Sequence, residues 1–256
     1  MDHFYRNAVK QAFASYSDKY NSSDPKIRLK INHTYRVADL CDRIAQTVPG
    51  TNTDLAWLCG MLHDIGRFEQ VRRYNTFFDA QSVDHAAFGA DLLFKEGLLD
   101  VFGDYDEDIT YILETSIRNH NKFRIDEDIT EECIPYCHIL RDADKIDILR
   151  VNIDTPPEQI YNTTTAELVN APVSDAAKKA FTEGHAILRS DRTTPIDYLV
   201  GHISLVYELV YPISVKIVNE QGYLLKLLDF HSENAQTREW FNTMHKVLRE
   251  RKILAE

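Results

Sequence analysis

Four histidines and a group of aspartates are spaced along the N-terminal half of this chain. In order they are His33, the dipeptide His63-Asp64, His85 and His120, followed by three aspartates close together near residue 145. Imidazole nitrogens and carboxylate oxygens suit divalent transition metals such as iron, manganese, zinc, cobalt or nickel better than they suit calcium. The residue types therefore indicate metal-dependent chemistry.

A His-Asp dipeptide alone is weak evidence, because a chain with ten histidines and 40 acidic residues contains one by chance. A single buried histidine is also more often a hydrogen-bonded core residue than a ligand. Here, however, the four histidines fall on separate predicted helices, and His33, His85 and His120 lie on apolar faces. Each buried ring brings two polar nitrogens that need partners, and a shared metal centre supplies one partner to every ring.

The spacing predicts two ions rather than one. Neighbouring side chains on a helix diverge by about 100°, so His63 and Asp64 share a centre only if the ions lie near the helix end and Asp64 bridges them. His33 and His63 would then hold one ion, and His85 and His120 the other. The first ion needs a further carboxylate, and helical spacing alone leaves three candidates open: Asp142, Asp144 and Asp147.

We expect helices to position these ligands. The chain has only nine glycines and eight prolines, which indicates few tight turns and favours helices over short strands. We expect a first helix from about Asp2 to Tyr20. The pattern then predicts helices over about 25–48, from Thr53 or Asp54 to near Gly66, from Asp84, from about Asp106, and after Pro135. Residues 67–83 lack periodicity and are predicted to form a long loop. Further helices are expected around 174–189, 195–219 and 235–251, with a short strand or turn near 223–230.

The motifs resemble a known family. His33, the run from Gly60 to Arg67, and the segment Asp142–Asp147 resemble the H…HD…D signature of the HD-domain metal-dependent phosphohydrolase superfamily over roughly residues 25–150. His85 and His120 resemble the additional ligands of its binuclear branches. The resemblance implies an all-α, orthogonal multi-helix bundle, and it selects Asp144 as the last ligand. The implied metal set is His33, His63, Asp64, His85, His120 and Asp144.

The resemblance implies a phosphomonoesterase or phosphodiesterase that acts on a nucleotide-like or other small phosphorylated metabolite. Two divalent ions would supply a metal-bridging hydroxide. Four neutral imidazoles and two carboxylates carry less charge than two such ions, so the pocket would be cationic and suit phosphate. We expect Asp64, Arg67 and Lys145 to be catalytic, with the two cations facing phosphate. Glu69 is either an acid/base group or a partner of Arg73.

Two other functions remain open. Myo-inositol oxygenase and a phosphonate-cleaving oxygenase hold two irons with the same order of ligands, so spacing does not separate a di-iron oxygenase from a hydrolase. A non-catalytic nucleotide-binding module is the other alternative. The cyclic-dinucleotide and alarmone branches are disfavoured, because no Gly-Tyr-Pro follows the HD motif and Glu69-Gln70 replaces the Glu-Asp pair.

Composition limits the partners. The formal net charge of −11 argues against a nucleic-acid polymer and leaves a small phosphorylated substrate as the expected partner. The most apolar long stretch, 198–218, carries charged residues, so we expect no membrane span. The four cysteines fit a reduced, cytoplasmic protein, and a homo-oligomer is compatible with the sequence. We expect a catalytic core over 1–152 and a helical extension over 153–256 that packs on the core. Four tyrosines of this extension are candidate site-wall residues: Tyr161, Tyr198, Tyr207 and Tyr211.

Overall fold

The computed structural model of the chain describes residues 3–255, and side chains from residue 5 onward. The start predicted for the first helix, Asp2, lies outside these residues. The chain divides into two compact units, Met1–Asp144 and Lys145–Glu256. The boundary at residue 152 that the sequence suggested stays a prediction.

The first unit is built from helices. They are α1 (His3–Ser17), α2 (Pro25–Ala45), α3 (Thr53–Leu62), α4 (Ile65–Tyr74), α5 (His85–Ala90), α6 (Glu107–Asn119) and the beginning of α7 (Cys133–Asp154). Short 3-10 turns cover Asp79–Gln81 and Leu98–Val101, and a π-helical turn covers Asp91–Lys95. Helix α2 packs along α3, α3 packs on α6, and α5 packs on both α4 and α6.

The second unit continues from α7 through short helices. They are α8 (Pro157–Ile160), α9 (Thr165–Asn170), α10 (Asp175–Glu183), α11 (Pro195–Ile203), α12 (Pro212–Gln221), α13 (Tyr223–Leu228) and α14 (Ala235–Glu250). Two 3-10 turns cover Arg189–Asp191 and Ser204–Glu208. No strand occurs in the part of the chain that the structure describes, and the predicted all-α class is therefore confirmed. Among residues 3–255, no helix combines the length and apolar character needed to cross a bilayer.

Side-chain caps fix where the helices of the first unit begin. Asp24 accepts a hydrogen bond from the Lys26 amide, and Pro25 follows as the first helical residue of α2. Asp84 caps α5 in the same way, as the sequence predicted, and Asp106 caps α6. The cap of α3 is Asn52, not Thr53 or Asp54, because its Oδ1 accepts from two backbone amides. These caps determine where the metal-ligand candidates fall on each helix.

The segment around the His-Asp dipeptide differs from the expectation. The sequence predicted one helix through Asp64 to Gly66 and a loop over 67–83, but α3 ends at Leu62 and α4 starts at Ile65. The break lies at Asp64, whose φ of −105° and ψ of 17° leave the helical region. Helix α4 forms because Ile65, Phe68 and Val71 recur at three-residue spacing and are buried.

The second unit also differs from the sequence expectations in two places. The long helix predicted over 195–219 is interrupted, because Pro212 starts a new helix after the 3-10 turn Ser204–Glu208. Within 223–230, where a short strand or turn was expected, Tyr223–Leu228 forms helix α13, and its Leu224, Leu227 and Leu228 are buried. Neither difference changes the fold class.

Gly66 allows α4 and α5 to cross closely. A Cβ atom built at Gly66 would lie 2.5 Å from the His85 carbonyl oxygen and 2.7 Å from the Gly89 amide nitrogen. We expect Gly66→Ala to destabilise the fold by about 1–3 kcal/mol, the usual cost of overpacking, although alanine alone favours a helix. Urea unfolding of the two proteins measures this difference. An equal or higher midpoint for Gly66→Ala would contradict the close crossing.

Candidate metal centre

One half of the centre is formed by His33, His63 and Asp144. His33 lies in the middle of α2, and His63 follows the last residue of α3. Their Nε2 atoms are 3.3 Å apart. Asp144, on α7, places Oδ1 3.1 Å from His33 Nε2 and 3.9 Å from His63 Nε2. The carboxylate that the resemblance selected is therefore beside both histidines.

The other half is formed by His85 and His120. His85 is the first residue of α5, and His120 directly follows α6. Their Nε2 atoms are 3.1 Å apart, and both residues are buried. Three of the four histidines, His63, His85 and His120, thus lie at helix ends. There the side chain has a neighbouring helical turn on one side only.

Asp64 joins the two halves through its two carboxylate oxygens. Oδ2 lies 3.5 Å from His33 Nε2 and 3.4 Å from His63 Nε2. Oδ1 faces the other pair, 3.5 Å from His85 Nε2 and 3.9 Å from His120 Nε2. The break between α3 and α4 makes this possible, because His63 and Asp64 are not constrained to diverge as they would within one helix.

The hydrogen bonds of the ring nitrogens show that Nδ1 carries a proton in three of the four histidines. His63 Nδ1 donates to the Gly60 carbonyl oxygen, His120 Nδ1 to that of Ile117, and His85 Nδ1 to Asp79 Oδ2. Burial lowers the pKa of His120 to about 3 and also lowers that of His85, so both rings are neutral at pH 7. In each of these neutral rings the Nε2 lone pair points inward.

The residues present fit a pair of divalent ions. The Nε2 atoms of His85 and His120 are 3.1 Å apart and turn their lone pairs toward each other. The buried Asp64 Oδ1 has no hydrogen-bond partner. A cation satisfies all three atoms at once. Nitrogens 3.1 and 3.3 Å apart match two ligands in adjacent positions, each roughly 2.1 Å from one ion. The sets His33, His63, Asp64 and Asp64, His85, His120 each bring one ligand atom per residue within 4.8 Å of the others.

Asp79 supports the second half and was missed by the sequence analysis. Its Oδ2 accepts from His85 Nδ1 at 2.8 Å, and its Oδ1 binds Arg67 Nη1 at 2.9 Å. Burial alone would raise the pKa of Asp79, but the His85 hydrogen bond and the Arg67 charge lower it, so this carboxylate is ionised. Asp79 lies in a short 3-10 turn inside an aperiodic segment, where helical spacing carries no signal.

Lys30 was also missed. It lies one turn before His33 on α2, and its Nζ is 2.6 Å from Asp64 Oδ2. Burial would raise the pKa of Asp64, but Lys30, His63 and Arg67 together hold it well below its ordinary value. The three-residue spacing from Lys30 to His33 was the available signal, since residues three apart share a helix face.

Asp84 is a third carboxylate near His85. Oxygens of Asp79 and Asp84 and one His85 nitrogen lie within 4.8 Å of one another. Asp84 Oδ1, however, accepts from the amides of Ala86 and Ala87, and Asp79 binds Arg67. These contacts make Asp84 the cap of α5, which sets the position of His85 at the helix start.

Arg141 fixes the end of α6 and therefore His120. Its guanidinium, buried in the first unit, donates to the carbonyl oxygens that end this helix and begin the next turn. The acceptors are the carbonyls of Asn119 at 2.9 Å, His120 at 3.4 Å, Phe123 at 3.1 Å, and Lys122.

The predicted catalytic cations have contacts of their own. Arg67 Nη1 donates to Asp79 Oδ1, to Gln70 Oε1 at 2.8 Å and to the Phe77 carbonyl oxygen at 2.7 Å. Lys145 Nζ donates to the Glu208 carbonyl oxygen at 3.4 Å. That these two residues face a phosphate group, and that Asp64 is catalytic, stay predictions.

The contacts of Glu69 bear on the two roles considered for it, an acid/base group or a partner of Arg73. Arg73 Nε lies 3.0 Å from Glu69 Oε2, and Arg72 Nη2 lies 2.8 Å from the same oxygen. Tyr20 donates to Oε1 at 2.8 Å. Pairing with Arg73, one of the two roles considered for Glu69, is thus what the structure contains.

Comparison with known proteins gives a match over the part of the chain that carries the metal-ligand candidates. A family model described as HD domain matches residues 31–149. The search of curated proteins returned no match, and the search of solved structures returned none. The matched span contains all six metal-ligand candidates. Residues 31–149 therefore match an HD domain, and domains of this family are typically metal-dependent hydrolases.

Proposed function

We propose that this chain is a metal-dependent phosphohydrolase that cleaves the phosphate ester of a small, nucleotide-like metabolite with the help of two divalent transition-metal ions. One observation carries the proposal: two pairs of histidine nitrogens face inward, and the two oxygens of Asp64 divide between them. Both pairs lie in the HD domain.

The charges around the centre favour a phosphate substrate. Asp64, Asp79 and Asp144 bring three negative charges, and Lys30 and Arg67 bring two positive ones. Two divalent ions add four positive charges, so the loaded pocket is cationic in a protein whose net charge is −11. A phosphoryl group, which carries charge on several oxygens, complements such a pocket.

The residues of the chain have separate roles in this proposal. When bound, the ions supply Lewis acidity and a hydroxide nucleophile near neutral pH. Asp64, Asp144 and the four histidines would hold them, and Asp79 orients His85 by accepting its ring proton. Arg67 and Lys145 are proposed to stabilise charge on the phosphoryl oxygens.

The test is phosphate release from a panel of phosphomonoesters and phosphodiesters, including nucleotides. We expect turnover after reconstitution with iron, manganese, cobalt, nickel or zinc. We expect none after chelation, because the ions are the proposed source of the Lewis acidity and of the hydroxide nucleophile. Rates under argon and under air should agree. Oxygen uptake with a rate that disappears under argon would instead establish the di-iron oxygenase, and tight nucleotide binding without turnover would establish a binding module.

A further inference from the structure

Lys30 occupies an unusual position for a lysine. It lies on α2 one turn before His33, and its side chain is only 14% exposed. Its Nζ is 2.6 Å from Asp64 Oδ2 and 5.5 Å from the centre of the Phe77 ring. Asp64 itself is 2% exposed. Lys30 is therefore a mostly buried cation that contacts the buried carboxylate and is more exposed to solvent than that carboxylate.

The oxygen that Lys30 binds is the one that faces the first half of the centre. Asp64 Oδ2 lies within 3.5 Å of the Nε2 atoms of both His33 and His63. An ion held by these nitrogens takes the same oxygen. The negative charge on Asp64 Oδ2 would then be shared with the ion, and Lys30 would lie near a like charge, so the Lys30–Asp64 pair would be weakened.

We propose that Lys30 is a phosphate-binding residue of this centre, which pairs with Asp64 Oδ2 and donates to a phosphoryl oxygen of the substrate once a divalent ion occupies that carboxylate oxygen. The inference rests on the proposed phosphohydrolase function and adds a residue that recognises its anionic group. It also makes phosphate binding dependent on prior metal binding.

Lys30 suits this role better than Arg67 does. Arg67 Nη1 is already shared among Asp79, Gln70 and the Phe77 carbonyl oxygen. Its Nε lies 3.5 Å from Asp64 Oδ1, whereas Lys30 Nζ lies 2.6 Å from Asp64 Oδ2. Lys30 carries a compact charge on a flexible four-carbon chain and can follow a new acceptor over a short distance. Both cations lie against the Phe77 ring, with Arg67 Cζ 5.6 Å from its centre. Phe77 thus keeps Lys30 beside the site after it leaves Asp64.

The experiment measures the affinity of the metal-loaded protein for inorganic phosphate by isothermal titration calorimetry. We expect Lys30→Met to weaken binding by roughly ten- to a hundredfold, the loss that one charge-assisted hydrogen bond produces. Lys30→Arg should stay within a few-fold of the wild type. Lys26→Met is the matched control, because Lys26 lies one turn earlier on α2, is bound to Asn75 instead, and should leave the affinity unchanged.

Metal content, measured by elemental analysis on the same samples, separates recognition from structural support. We expect Lys30→Met to retain the metal content of the wild type, because Lys30 competes for Asp64 rather than ligating. Loss of metal in Lys30→Met would show that Lys30 only supports Asp64, and would overturn the inference. If Lys30→Met does not fold, Lys30→Gln, which keeps a donor but no charge, provides the same comparison.

The phosphate data also separate this inference from the proposed function. Unchanged phosphate affinity in Lys30→Met, with phosphoester hydrolysis intact in the wild type, overturns the role of Lys30 alone. A metal-loaded wild-type protein that neither binds phosphate nor hydrolyses any phosphoester overturns both. Phosphate binding of equal strength in the metal-free wild type would also overturn the metal dependence that the inference requires.

Discussion

Asp64→Asn is expected to empty both halves of the metal centre and to abolish phosphate release, although the change removes only one charge and keeps the side-chain shape. Asp64 Oδ2 faces His33 and His63, and Oδ1 faces His85 and His120. An amide nitrogen cannot ligate, so at least one half loses its oxygen outright. The remaining oxygen is neutral and a weaker ligand for the other ion.

Elemental analysis after dialysis, together with the rate of phosphate release, measures the effect. Circular dichroism checks that the helices remain. The matched control is Asp126→Asn, because Asp126 also pairs with a lysine, Lys122, but does so at the surface. This control should keep both its metal and its rate. An Asp64→Asn protein with wild-type metal content would refute the bridging role of Asp64.

Asp79→Asn is expected to weaken the ion held by His85 and His120 by about ten- to a hundredfold, the usual cost of losing a hydrogen-bond partner of a ligand histidine. The Asp79 carboxylate accepts from His85 on one oxygen and from Arg67 on the other. An asparagine accepts on one side only, so it turns a donor toward either His85 or Arg67. The ring of His85 is then less firmly oriented.

Metal titration with a chelator as competitor measures this loss, and the ion beside His33 and His63 should keep its affinity. Asp84→Asn is the control, since asparagine caps a helix about as well as aspartate does and α5 keeps its start. A larger loss of metal in Asp84→Asn than in Asp79→Asn would identify Asp84 as the group that matters and would contradict the role given to Asp79.

The helices that carry the ligands were largely predictable, because apolar spacing and capping residues agree there. His33, His85 and His120 lie on faces whose neighbours are apolar, and Asp84 and Asp106 are strong caps. Helical spacing did not choose among Asp142, Asp144 and Asp147; the family resemblance did, and Asp144 lies 3.1 Å from His33.

The break between α3 and α4 was not predictable from local rules. No proline separates Leu62 from Ile65, and Gly66 looked like a helix end although it lies within α4. Its lack of a side chain serves the crossing with Gly89, a tertiary contact that propensity does not contain. Residues 67–83 were assigned to a loop because their apolar residues show no clean helical periodicity over the whole stretch.

Lys30 and Asp79 were missed for a related reason. Apolar periodicity identifies buried faces, and a charged residue on such a face is counted as a surface position. Lys30 is nevertheless mostly buried because Asp64 is its partner. Asp79 reaches His85 from a turn whose position depends on the Arg67 contact, which no sequence spacing encodes.

The division of Asp64 between two histidine pairs has a thermodynamic consequence. Two cations that share one carboxylate do not bind independently, because the first to bind neutralises part of the negative charge that attracts the second. Reciprocity requires that each lowers the affinity of the other by the same factor. Two divalent ions in this centre would therefore bind anticooperatively through Asp64, and their loading at a given free-metal concentration would depend on that coupling as well as on the separate histidine pairs.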